Sequence, residues 1–568
     1  MAKHHRRLVA VTAIAACAAL ASCDRQTAAP PFNVANASIQ DIQTALKDGR
    51  ITSRELTTQY LARIALYDSK LHGVISVNAH ALEEADTLDR ERKAGKLRGP
   101  LHGIPIALKD NIQTTNMPTS GGALAFKDYV PPYDATLVKN LKDAGAIIFA
   151  KSTMSELAGA LAEPPTPAPG GYNAVRGFSY NPFDPRAQDN GEPVLSPAGS
   201  SSGIGVAAGY WAANIGTDTS GSVLGPSNAA MIVGLRPTVG RISRHGIIPI
   251  TMDQDTAGPM ARTVTDIAIL LGALEGATPD PDDAATGTCK PPMDRSYLPF
   301  LKADALKGAR IGIPRTAYYD KFTPPGATRG RPGLLPDEAQ AMTDAIAALK
   351  AAGAEIVDPA DLPSVVAQEP AKNVLRRIVC GDELPDDPAD TRELCSAVLG
   401  YGMKRDFNLW LASQGGHAPV KSLTELRAWN TEHAPYGAIR FGQAFIDRAD
   451  QDWDLERDKA RYEADRAKDK SYAGENGIDA AITANKLDAL LIPGGGASSI
   501  GALAGYPAIT VPFAMVTNPR APAEEAQNKT RPFGLSFLGP SCSEPKLLGL
   551  AFAFEQTTHR RQTPTATP

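Results

Sequence analysis

Three short segments put groups capable of proton transfer and nucleophilic attack into backbone that small residues make possible. The first, Gly103-Ile-Pro-Ile-Ala-Leu-Lys109-Asp-Asn111, ends an apolar run on a lysine. A strand that is apolar on both faces carries such an ammonium into the interior, where loss of hydration favours the neutral amine. An amine whose pKa falls from about 10.4 toward neutrality can serve as a general base. The second and third segments, Gly199-Ser200-Ser201-Ser202-Gly203 and Gly216-Thr-Asp-Thr-Ser-Gly-Ser222, set serines in glycine turns. A serine behind a glycine turn exposes consecutive backbone amides, which is what an oxyanion hole requires. Each segment also has a plainer reading. Most lysines lie on the surface, glycine-serine strings are common linkers, and Asp218 reads equally well as a turn or cap aspartate.

Positioning such groups takes a rigid scaffold, and the 568-residue chain is long enough to build one. The spacing predicts two amphipathic helices between Asn36 and Asp68. Ser38 caps the first, and Thr52 with Glu55 has the capping-box spacing for the second. From Leu101 onward, short apolar runs alternate with helical patterns. Ile104–Leu108, Ala146–Ala150, Ala309–Ile313, Ala354–Val357, Leu487–Ile492 and Ala508–Val511 read as strands, and Ala135–Ala144 and Asp337–Ala352 as helices. That alternation predicts an α/β fold. Gly199–Ala213 reads as a glycine-serine loop running into a buried helix, and Pro164–Pro197 as a long surface loop. Between about 381 and 479 the charge density rises and the glycine strings stop, which predicts a helical insertion on the outside of the core.

Composition narrows the function. With 58 Lys+Arg against 62 Asp+Glu there is no basic surplus of the kind a nucleic-acid binder shows. No CxxC or HExxH occurs and the nine histidines are scattered, so neither a metal nor another cofactor is expected. Residues 1–22 read as a signal peptide, with Lys3, Arg6 and Arg7 ahead of an apolar run from Leu8 to Ala21. The run ends in Leu20-Ala21-Ser22-Cys23, which resembles a bacterial lipobox, so Cys23 is the expected lipidation site. A linker over 23–35 would then tether a body spanning 36–562. The expected location is the periplasm-facing cell envelope, held by the lipid anchor alone, and Asp24 after the cysteine points to the inner membrane. Cys289, Cys380, Cys395 and Cys542 remain, and their three possible pairings stay open.

Taken together and in this order, the three segments resemble the amidase signature family. Further blocks carry the same resemblance: Asp143–Lys151, Asn173–Pro182, Ala504–Pro512, Phe533–Phe537 and Glu555-Gln556. The resemblance implies one large domain with a mixed β-sheet covered by helices on both faces. It also implies amide hydrolysis by a Ser-Ser-Lys triad through an acyl-enzyme. Carried over, Lys109 matches the general base, Ser222 the nucleophile, and Ser200 the bridging serine on a cis peptide bond. Backbone amides of Thr219, Ser220, Gly221 and Ser222 match the oxyanion hole, with Asp218 buried beside the turn. Two departures stand out. Ala198-Gly199 precedes Ser200 where the family usually has two glycines, and Ser200 lies 22 positions before Ser222 where the family has 24. The expectation is that the intervening segment absorbs the deletion, with Ser201 as the other candidate for the bridging place. The implied partner is a small-molecule or peptide amide, with the protein a monomer or homodimer.

Two other readings compete. Gly199-Ser-Ser201-Ser-Gly203 satisfies G-x-S-x-G, the nucleophile elbow of α/β-hydrolase esterases, which would make Ser201 the nucleophile with His245, His417, His433 or His559 downstream. The second is an amidase-like lipoprotein whose catalysis is impaired.

Overall fold

Two capped helices open the body. In α1 (Ile39–Lys47) Ser38 and Asp41 close a capping box, and in α2 (Ser53–Leu71) Thr52 and Glu55 close another. Each box satisfies backbone donors that the first helical turn leaves unpaired, so the spacing of serine or threonine and acid sets where the helix begins. The structure, a computed structural model, describes residues 32–161, 170–198, 202–328, 330–377, 379–380, 394–519 and 530–568. Within it, Asn33–Pro568 forms one compact unit. Val34 and Ala35, read from sequence as the end of a linker, are buried in that unit. At the other end, Arg63 of α2 donates to the carbonyls of Thr567 and Pro568, so packing continues past residue 562.

The core is an 11-stranded mixed sheet. In chain order its strands are β1 (Val74–Val77), β2 (Pro105–Lys109), β3 (Ile147–Ser152), β4 (Ala213–Asp218), β5 (Val233–Arg236), β6 (Thr256–Ala261), β7 (Arg310–Gly312), β8 (Glu355–Val357), β9 (Ala489–Pro493), β10 (Ala508–Thr517) and β11 (Thr530–Leu538). They lie in the order β1-β3-β2-β4-β6-β5-β10-β11-β9-β7-β8. Every residue of β2, β3, β4, β5, β6 and β9 is buried, so the centre of the sheet is covered on both faces. The expected α/β architecture of one large domain is the one observed.

β2 runs parallel to β4, with Ile106 level with Ala213 and Leu108 level with Ile215. Lys109 and the Thr217-Asp218 pair therefore leave the sheet at the same, carboxyl, end. That edge is where parallel strands of α/β sheets present loops to ligands. β6 runs antiparallel to β4 with Asp218 level with Thr256, which brings Asp255 to the same edge.

Two connections differ from the sequence expectation. The helix expected after the glycine-serine loop is a single turn, Ile204–Ala207, and β4 follows directly. The described part of the long loop carries a small hairpin, Tyr172–Asn173 against Gly177–Phe178.

After α3 (Leu224–Ala229) and the almost wholly buried α4 (Val264–Leu274), α5 (Val398–Ser413) and α6 (Lys459–Lys470) belong to a helical stretch that extends to Asn485. Phe407 and Trp410 of α5 pack with Phe126, Leu423, Phe445 and Ile446, joining this stretch to the segment that follows β2. α7 (Glu544–Thr558) packs on α4 and β10. Two disulfides resolve the cysteine pairing: Cys289 with Cys542, and Cys380 with Cys395. Among the described residues no helix is long and apolar enough to cross a membrane.

Candidate active site

Lys109 closes β2 and is fully buried. Its Nζ donates to the Thr217 carbonyl at 3.0 Å and to Thr217 Oγ1 at 2.8 Å. Asn111 Nδ2 donates to the same hydroxyl at 3.0 Å, which fixes its orientation. Burial pulls the Lys109 ammonium down from 10.5 to about 8, opposed by the negative charges of Asp218 and Asp255. The amine is thus held by one residue's oxygens at the start of the turn that carries Ser222.

Asp218 shapes that turn. Its Oδ1 accepts the Gly221 N–H and its Oδ2 the Val223 N–H, both at 2.8 Å. Arg236 of β5, also fully buried, donates to Asp218 Oδ1 at 2.7 Å and to its carbonyl at 2.8 Å. A buried carboxylate needs such a cation and such donors to remain charged. These contacts give Asp218 the orienting role. The Gly221 N–H, directed at Asp218, maintains the shape of the turn.

Gly221 itself has a physical requirement. Its φ of +135° is a conformation that L side chains rarely adopt, and a Cβ there would lie 3.0 Å from Ser498 Cβ. Ser498, whose Oγ donates to the Gly495 carbonyl at 2.6 Å, therefore forms the wall behind the Gly221 turn. Thr219 is buried, Ser220 is exposed, and Ser222 is half-buried. The left-handed pair Leu157 (φ 44°) and Ala158 (φ 60°) adds a strained turn, and Ala158 lines a small cavity with Asn111, Thr217, Thr219 and Asp255. Strain of this kind persists where surrounding structure enforces it, often beside a functional site.

Lys109, Asp218, Thr219, Ser220, Gly221 and Ser222 thus gather at one edge of the sheet. Ser200, Ser201 and Cys23 lie outside the described residues. Three site residues were missed by the sequence reading: Arg236, Ser498 and Asp255. Arg236 and Asp255 carried a signal only as polar residues flanking apolar runs, and Ser498 only as part of the Gly494-Gly-Gly-Ala-Ser-Ser string.

The nucleophile-elbow reading of Ser201 does not survive. An elbow needs a strand leading into the serine and a helix leaving it. Here described residues 179–198 form no strand of the sheet, and the helix that follows is one turn. Of the downstream histidines, His245 stacks on Tyr133 and His433 on Trp429, and His559 ends α7 through its backbone N–H. Among the described residues no group of three or more His, Cys, Asp or Glu side chains is disposed to hold a metal.

Comparison with known proteins agrees with this geometry. The Amidase family profile matches residues 55–375. A protein of Arabidopsis thaliana named "Probable amidase" is 33% identical over 542 residues, covering 94% of this chain and 92% of its own. The native peptide amidase of Stenotrophomonas maltophilia superimposes with a TM-score of 0.77 at 36% identity, covering 95% of this chain and 100% of that one. An amidase family protein of Bacillus anthracis gives a TM-score of 0.76 at 31% identity, covering 94% of this chain and 93% of that one. With a buried lysine and a carboxylate-held serine turn at one sheet edge, and with these relatives along nearly its whole length, the chain belongs to the amidase signature family and is an amide-hydrolysing enzyme.

Proposed function

We propose that this enzyme cleaves a carboxamide through a serine acyl-enzyme, with Ser222 as nucleophile, Ser200 as proton bridge and Lys109 as base. The observation that carries this reading is the burial of Lys109 on Thr217, which makes a neutral amine accessible near physiological pH. Ser222 Oγ bonds to the amide carbon while its proton passes through Ser200 to Lys109 Nζ. The C–N bond then breaks, and the same relay returns the proton to the departing ammonia or amine. Water, deprotonated along the same path, releases the carboxylate and restores Ser222. Backbone amides of Thr219, Ser220 and Ser222 receive the oxyanion.

The substrate class we infer is a C-terminal peptide amide or a related small carboxamide, supported by the likeness to a peptide amidase along 95% of the chain. Esters of the same acids are expected as side substrates, since an alcohol leaves the same intermediate more readily. The test is ammonia release by the soluble protein beginning after Cys23, from aliphatic, aryl and peptide amides, with Ser222→Ala and Lys109→Ala alongside. Release from peptide amides that both substitutions abolish is the expected result. Release that persists in Ser222→Ala would refute the mechanism, and no release from any amide would favour the impaired-lipoprotein reading.

The location we propose is the exported, lipid-anchored one, through Cys23. The two disulfides support it, because such bonds persist in oxidising compartments.

A further inference from the structure

Three consecutive residues at the end of β4 anchor the catalytic turn in three directions. Thr217 holds Lys109, Asp218 is held by Arg236, and Thr219 Oγ1 donates to Asp255 Oδ1 at 2.5 Å. The third anchor differs from the second. Asp255 is buried, yet among the described residues it forms no ion pair. Arg244, the cation whose charge it senses, is engaged by Asp283. Its other oxygen, Oδ2, accepts the Ile250 and Thr251 amides at 2.8 and 3.1 Å. A buried carboxylate served only by neutral donors is costly, and sites of catalysis are where such a cost is commonly retained.

The loop beneath Asp255 is tied to the helices beyond it. Asp406 of α5 accepts the Met252 N–H at 2.7 Å and Thr251 Oγ1 at 3.3 Å. Asp253 accepts Tyr462 Oη of α6 at 2.8 Å and Arg405 Nη2 of α5 at 3.0 Å, and Arg466 donates to its carbonyl at 2.7 Å. One face of this loop therefore meets α5 and α6 and the other meets the turn of Ser222.

We propose that Asp255 is a positioning residue for amide hydrolysis: it fixes Thr219, and through Thr219 the oxyanion side of the Ser222 turn, and it passes to that turn the packing of α5 and α6. This inference rests on Ser222 being the nucleophile. It has an electrostatic corollary. The carboxylates facing Lys109 are Asp218 on its own sheet edge and Asp255 from the loop before β6, and both favour the ammonium. Asp255 in turn senses Arg244 and Asp406. Neutralising Asp255 therefore makes Lys109 lose its proton at lower pH.

The test uses an alkyl fluorophosphonate, which needs no knowledge of the natural amide. Ser222 Oγ bonds to phosphorus, fluoride leaves, and the serine proton passes to the base. Labelling rates between about pH 6 and about pH 9 would be measured for the wild type, Thr219→Val, Thr219→Ser, Asp255→Asn and Ser222→Ala, each with its denaturation midpoint. kcat and KM would be measured on the amide that releases ammonia fastest. Thr219→Val is expected to lose about tenfold or more in labelling rate and kcat with KM little changed, and Thr219→Ser to recover most of that loss. Asp255→Asn is expected to move the acid limb of the rate to lower pH. Labelling that is lost in Ser222→Ala yet unchanged in Thr219→Val, with an unmoved limb in Asp255→Asn, would overturn this inference alone. Labelling that persists in Ser222→Ala would overturn the nucleophile assignment and this inference with it.

Discussion

Replacing Lys109 by Met should destroy activity and raise stability, and both effects follow from one displacement. Burial brings the ammonium from 10.5 to about 8. At pH 7 about one-tenth of the folded chains then hold the neutral amine, against about one in three thousand for a lysine in water, a gain of about 300-fold in available base. The same displacement penalises folding by about 3 kcal/mol wherever both states carry the proton. Methionine has the length of the lysine stem without the charge, so Lys109→Met removes that penalty. The hydrogen bonds to Thr217 are lost with it, which costs about 1 kcal/mol, leaving a net gain of about 2 kcal/mol at pH 7.

The gain has a defined pH window. Below about pH 8 folded and unfolded chains both bind the proton, so the penalty on the wild type is constant. Between about 8 and 10.5 only the unfolded chain binds it. The wild type therefore gains stability as pH rises through that interval, and the advantage of Lys109→Met fades. Urea midpoints of both proteins at pH 7 and at pH 10 measure this. The wild-type kcat/KM should rise with pH and level off above about 8, because only the neutral amine acts as base. Lys109→Arg, which stays charged throughout, should lose about a thousandfold or more at every pH. A Lys109→Met protein less stable than the wild type at pH 7, or a wild-type rate that is flat across this range, would refute the claim that the ammonium is desolvated.

Two further outcomes are expected. Arg236→Met leaves the fully buried Asp218 without its cation and should destabilise the protein by about 3–5 kcal/mol in urea unfolding, with ammonia release falling in the fraction that stays folded. Expressed from its full-length gene in a bacterium, the protein should fractionate with membranes and Cys23→Ala should release it, whereas equal partition of the two would exclude the lipid anchor.

Much of the active edge was legible because its chemistry depends on local strings. Lys109 ends an apolar run and Asp218 to Ser222 form one continuous turn, so types and spacing mark the segments, and their order together carries the family resemblance that nominates the individual residues. The capping boxes at Ser38 and Thr52 were legible for the same reason. β6 was not. It reads Thr-Ala-Gly-Pro-Met-Ala, and glycine and proline inside a run argue against a central strand. Yet Pro259 pairs with Ile215, and a Cβ on Gly258 would lie 2.3 Å from the Leu235 carbonyl oxygen. The neighbouring strands impose that segment, so its own propensity is overridden. Missing β6 also hid Asp255, whose meaning lies in standing opposite Thr219. The cysteine pairing was hidden likewise, because Cys289 and Cys542 are 253 positions apart and meet only once α7 is placed.

The three anchors at the end of β4 are unequal in a way that bears on how the enzyme evolves. Asp218 is satisfied by a cation and two amides, so the turn's shape is thermodynamically secure. Lys109 and Asp255 are each buried against neutral partners, and burial drives each toward its neutral form. Stability and activity pull in opposite directions at these two positions. Selection for stability alone would replace them with apolar or amide side chains. The proposed roles, Lys109 as base and Asp255 as the anchor of Thr219, account for their presence together on either side of that turn.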